Sequence, residues 1–124
     1  MVNDKIILFY GFNEEDREKL ETTIKKHINT NVIEISKSMG GMKLSDILEG
    51  KKAQVFNKTL PEEKVVIFNN YSDSEVESAL KDIKLKLDKM PILAAVTETS
   101  LNWKFDYLLQ HLIQEKEWFR NKKK

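Results

Sequence analysis

Apolar residues occur in this chain in two textures, short unbroken runs and longer stretches in which they recur every three or four positions. Ile6-Ile7-Leu8-Phe9 and Val65-Val66-Ile67-Phe68, each led by a lysine, are unbroken runs, as expected of strands covered on both faces. Val32-Ile33-Glu34-Ile35 is short, β-branched and interrupted by a charge, which predicts an edge strand. Ile92 to Val96 is a fourth strand, whose Ala94-Ala95 pair predicts a backbone or helix lying close against it.

Between these runs the spacing is helical. Asn13 is placed as an N-cap with Asp16 at N3, and Leu20, Ile24 and Ile28 mark one stripe of a helix running to about His27. Met42 to Leu48, with Leu44, Ile47 and Leu48, reads as a short helix that Gly50 caps, and Gly40-Gly41 as a loop before it. Residues 36–63 form the irregular part of the chain, with Val55, Phe56 and Leu60 as its later apolar residues. Ser72 and Glu75 have the spacing of a capping box, and Val76, Ala79, Leu80, Ile83, Leu87 and Met90 make a wide stripe that Pro91 stops.

The elements alternate, which implies one domain over residues 1–124 with a parallel sheet and right-handed crossovers. The two unbroken runs belong at its centre. The expected fold is therefore α/β: a three-layer sandwich on a four-stranded parallel sheet of order 2-1-3-4, a truncated flavodoxin-like or Rossmann-like architecture. The chain also reads as two β-α-β-α halves. Lys64 follows Lys5 by 59 positions, and the same displacement matches Phe12 with Tyr71, Asn13 with Ser72, Asp16 with Glu75 and Ile33 with Ile92. Duplication and convergence on one strand-cap-helix recipe both account for this.

The last helix, Leu101 to about Arg120, is apolar on two faces. With Trp103 at zero and about 100° per residue, Tyr107 falls at about 40°, His111 at about 80° and Trp118 at about 60°. Leu101, Phe105, Leu108, Leu112 and Phe119 fall between about 140° and 200° on the same wheel, with Leu109 near 240°, which is an ordinary core stripe. The first set is a separate aromatic ridge. It predicts either a contact with a second copy or another protein, or a place within the fold, packed against the irregular segment through Val55 and Phe56 or covering strand four.

Composition narrows the function without naming it. The formal net charge of +1 gives no overall field for nucleic acid, and the terminal Arg120-Asn121-Lys122-Lys123-Lys124 reads as a solvated flexible tail. The absence of cysteine removes disulfides and thiolate chemistry. No apolar stretch approaches a membrane span, so the expectation is a cytoplasmic protein with neither membrane nor nucleic acid as partner.

In a parallel sheet of this order, a ligand would settle outside the carboxyl ends of strands one and three. The residues expected there are Gly11, Asn13, Asn69, Asn70 and Ser72, joined by Thr97, Thr99 and Asn102 from the loop after strand four. Two helix N-termini would favour an anion, whereas Glu14, Asp16, Asp73 and Glu75 make the place acidic. The layout invites comparison with a phosphoacceptor receiver domain. Asn69-Asn70 and Tyr10-Gly11 stand where that chemistry needs acids, and only Thr97 fits its switch hydroxyl. No phosphate-binding glycine loop is present, His27 and His111 lie far apart outside any metal-ligand cluster, and no serine sits in a nucleophile elbow. No catalytic residue, metal or cofactor is therefore assigned, and an enzyme is unsupported.

Three segments together resemble a known family: Leu8-Phe9-Tyr10-Gly11-Phe12, Pro61 to Phe68, and above all Ala95-Val96-Thr97-Glu98-Thr99-Ser100-Leu101-Asn102-Trp103 with Leu108-Leu109 and Glu115. The chain resembles the small bacterial family called domain of unknown function thirty-seven eighty-three. The resemblance implies a small cytosolic α/β protein of anaerobic bacteria and brings no catalytic residues. The best functional expectation is a non-enzymatic interaction or regulatory module that uses Trp103, Tyr107, His111 and Trp118. The alternative is a small-molecule or anion binder at the edge of strands one and three.

Overall fold

A computed structural model describes residues 4–25, 31–51, 60–87 and 89–122, with side chains up to Trp118 in the last helix. Strands β1 (Ile6–Tyr10), β2 (Asn31–Ile35), β3 (Val65–Asn69) and β4 (Ile92–Ala95) form one sheet in the order β2-β1-β3-β4. The helices are α1 (Glu14–Lys25), α2 (Leu44–Leu48), α3 (Asp73–Lys86) and α4 (Phe105–Lys122), with 3-10 turns at Lys37–Met39 and Ser100–Asn102.

Side-chain alternation along the two central strands builds two cores, one on each face of the sheet. Ile7, Phe9, Val66 and Phe68 point to one face, where Leu20 and Ile24 of α1 and Ala79 and Ile83 of α3 cover them. Ile6, Leu8, Tyr10, Val65 and Ile67 point to the other, under Leu44, Ile47 and Leu48 of α2 and Phe105, Leu108 and Leu109 of α4. Three layers result, and the sheet has the expected order.

The expectation of an all-parallel sheet is corrected. β1 pairs with β2 and β3 with β4 in parallel, but β1 and β3 run antiparallel, with Leu8 opposite Ile67. A parallel β3 would require the chain to recross the sheet between β2 and β3. The only α-helix described there, α2, has five residues and so spans about 8 Å, half the length of a strand. The chain instead enters β3 at the end where β2 leaves, with Val65 beside Tyr10. This mixed sheet departs from the flavodoxin-like and Rossmann-like pattern.

Leu8 and Ile67 are 59 positions apart and face each other, so residues matched by that displacement sit at opposite ends of the sheet. Gly11 and Asn70, a matched pair, both follow a central strand with positive φ, 84° and 65°. Phe9 meets Phe12 edge-on at 5.7 Å, and Phe68 meets Tyr71 edge-on at 5.6 Å. Lys64 reaches Asp16 at 3.1 Å while Lys5 reaches Glu75 at 2.6 Å, each lysine crossing to the other half. The match slips at the outer strands: Leu8 pairs with Ile33, whereas Ile67 pairs with Ala94 and not Ile92.

Local signals account for most helix ends. The Asp16 N–H donates to Asn13 Oδ1 at 2.7 Å, and Ser72 and Glu75 exchange both bonds of a capping box, 3.2 and 2.9 Å. Gly50, with φ 77°, follows α2 and donates to the Ile47 carbonyl at 3.0 Å. Helix α3 ends at Lys86, before Met90, and leaves Leu85 82% exposed. The last helix begins at Phe105 and not at Leu101, and it continues through Lys122, past the start of the expected tail.

Candidate functional site

The antiparallel centre divides the residues expected to share one ligand edge. Gly11 and Asn13 follow β1 at one end of the sheet; Asn69 ends β3, and Asn70, Ser72, Thr97, Thr99 and Asn102 follow β3 and β4, at the other. The structure does not bring the two groups together.

At the β3 end the candidate polar groups are engaged in holding the backbone. Asn69 is buried and donates from Nδ2 to the Asp4 carbonyl at 2.9 Å, tying down the start of β1. Ser72 caps α3, and the Lys5 ammonium, followed by the Ser72 N–H, holds the Glu75 carboxyl below the usual carboxylate range. The Thr97 N–H donates to Ser100 Oγ at 2.9 Å, and the Ser100 N–H returns to Thr97 Oγ1 at 3.1 Å. Such local side-chain bonds compete with helix and delay α4 to Phe105. Thr99 and Asn102 are exposed on that turn.

At the β1 end the loops part. After β1 the chain turns to the α1 face, and after β2 it turns to the α2 face, so the crevice between neighbouring strands opens. A cleft of about 610 Å³ lies there, lined among others by Gly11, Phe12, Ser36, Lys37, Lys89 and Lys116. Gly11 has a backbone role in it, because a Cβ at that position would lie 1.9 Å from the Glu63 carbonyl oxygen. Asn13 Oδ1 is taken up by the cap of α1.

Tyr10 passes beneath the cleft and donates from its hydroxyl to the Pro61 carbonyl at 2.8 Å. Burial, and next the nearby Glu62 charge, push its pKa above the ordinary tyrosine value. Lys116 Nζ reaches both Glu63 carboxylate oxygens at 3.2 Å, so α4 contributes directly to this end. Lys37, Lys89 and Lys116 were not singled out from the sequence, because isolated lysines carry no local sign of converging.

The aromatic ridge is a physical cluster. Trp103 stacks on His111 at 5.0 Å between ring centres, and Tyr107 meets Trp103 edge-on at 4.8 Å and His111 at 4.6 Å. Trp103 precedes the helix in extended conformation, so it joins the ridge by folding back over the first turns, in the manner of a hydrophobic staple. Its carbonyl accepts from the Leu44 N–H at 2.9 Å, while the Phe105 and Asp106 N–H groups donate to Met42 and Gly40, both at 2.9 Å. The loop before α2 thereby satisfies free donors at the start of α4.

Trp118 lies two turns beyond His111 and is 55% exposed, and Tyr107 is 48% exposed. Val55, Phe56 and His27 lie outside the described residues, so the expected packing of the ridge on Val55 and Phe56 falls there too. Strand β4 packs through Ile92 and Ala94 into the core beneath α4 and through Leu93 into the core on the opposite face, and Ala95 is exposed. Among the described residues, no group of three or more histidines or acids could hold a metal ion, and no helix is long and apolar enough to cross a membrane.

Comparison with known proteins places part of the chain. Residues 64–119, from the start of β3 through most of α4, match the family model described as Domain of unknown function (DUF3783). The match includes Thr97 to Trp103 and leaves Leu8 to Phe12 outside it. No curated protein and no solved structure matches the chain significantly.

Proposed function

We propose that this protein is a non-enzymatic interaction module, and that the aromatic ridge of α4 is the surface by which it associates with a second copy of itself. The observation carrying this reading is the mutual packing of Trp103, Tyr107 and His111 on a helix face that also presents the half-exposed Trp118. Phe105, Leu108 and Leu109 supply the buried stripe of α4, and of the ridge Trp103 also packs against that core while Tyr107 and Trp118 stay about half exposed.

Tyrosine and tryptophan bury large areas while keeping a polar group for a partner, and aromatic anchors dominate interface energies. A formal net charge of +1 means that two copies repel each other little. The ridge offers donors from tyrosine and indole and an imidazole, a set able to complement itself across a two-fold axis.

The test is the mass in solution together with the thermal stability of Tyr107→Ala and Trp118→Ala. The expected result is a smaller assembly with an unfolding midpoint close to that of the parent monomer. Mass and stability both unchanged in the two variants would remove the ridge as interface and as core alike. The alternative, ligand binding at an edge shared by strands one and three, keeps its geometry only at the β1 end, where the cleft lies.

A further inference from the structure

We infer that the cleft at the carboxyl end of β1 and β2 binds a small organic oxyanion, a carboxylate or a phosphate monoester, through Lys37, Lys89 and Lys116. The crevice arises from topology, because adjacent parallel strands send their connections to opposite faces. Its volume of about 610 Å³ falls in the range of roughly 300–1,000 Å³ that small-molecule sites occupy.

The sign of the ligand follows from which charges are already satisfied. Lys64 is engaged by Asp16 at 3.1 Å, and Glu34 by Arg17 at 2.8 Å. Among the described residues Lys116 is the one cation paired with Glu63, which also accepts from the Lys64 N–H at 3.3 Å, and the Lys116 side chain remains 45% exposed and able to turn into the cleft. Lys37 and Lys89 make no ion pair among the described residues, and Glu62 is the one lining acid left without a cation there. Among the described residues, two ammonium groups without an ion pair, with a third on loan to Glu63, therefore line the cleft beside a single unpaired carboxylate. Phe12 and Met90 add apolar lining, which suits the carbon portion of an organic anion better than a bare inorganic ion.

Backbone amide shifts of the full chain, titrated at fixed ionic strength with inorganic phosphate in one arm and succinate in the other, test this site. Saturable shifts at Gly11, Ser36 and Lys37 are expected, and the arm that saturates at lower concentration identifies the headgroup. Lys37→Gln and Lys89→Gln remove exposed side chains, so folding persists, and each is expected to weaken binding about threefold or more. Glu63→Gln frees Lys116 and is expected to tighten it by a similar factor. The proposal is overturned if neither probe saturates, or if both lysine variants bind as the parent does. Unchanged or weaker binding in Glu63→Gln overturns the part given to Lys116.

Discussion

The two halves of this chain start alike and finish differently, and the difference falls on the helix after the outer strand. In the first half that helix is α2, five residues long, with Leu44, Ile47 and Leu48 all buried. In the second it is α4, eighteen residues, of which Phe105, Leu108 and Leu109 fill the same core. Each helix thus places its fully buried residues within little more than a turn and a half. Leu112 and Ile113 carry that packing further along α4, and the other side of this longer helix carries Tyr107, His111 and Trp118 as well as Lys116, the α4 side chain at the cleft. Where an element is longer than its packing demands, its additional faces are free to take on another task.

The largest effects are expected from truncating the core residues that the two helices share in kind. Phe105→Ala is expected to cost about 3–5 kcal/mol and Ile47→Ala about 2–5 kcal/mol in denaturant unfolding, since both side chains are fully buried. A loss below about 1 kcal/mol at Ile47 would mean that α2 is not the counterpart of α4 in the core.

Next comes the turn after each central strand. Gly11→Ala would set a Cβ against the Glu63 carbonyl at positive φ and is expected to cost about 2–4 kcal/mol. Asn70→Gly, at the matched position, should stay within about 1 kcal/mol of the parent. Equal effects at the two positions would erase the distinction between a turn packed against backbone and one at a solvent-exposed residue.

Tyr10→Phe removes the bond to the Pro61 carbonyl and should cost about 1 kcal/mol at neutral pH. Its pH dependence has a definite sign. The folded-state pKa is raised, so the folded chain holds the proton more tightly than the unfolded chain. That contribution is fully present below the ordinary tyrosine value of about 10 and is lost as pH rises through the folded-state value. Unfolding measured through that alkaline range should fall more steeply for the parent than for Tyr10→Phe.

Much of this architecture was legible in the sequence, and the exceptions have physical causes. The caps at Asn13 and Ser72 could be read because a cap is a bond between residues three apart. Strand order could be read because unbroken apolar runs mark the positions buried on both faces. Strand direction could not, since such a run reports burial and is silent on polarity; that one error separated Gly11 and Asn13 from the other six candidates. The helical wheel placed Trp103, Tyr107 and His111 together correctly, although Trp103 reaches the ridge from an extended residue and not from the helix. The cleft was illegible because Lys37, Lys89 and Lys116 meet only through the tertiary fold.

The most direct test of the central claim is sedimentation of the parent chain beside the Tyr107→Ala, Trp118→Ala double variant across a range of concentrations. The parent is expected to shift from monomer to dimer as concentration rises, and the variant to stay monomeric while unfolding within about 1 kcal/mol of the parent monomer. A parent that is monomeric at every concentration, or a variant that dimerises as well as the parent, would contradict that claim.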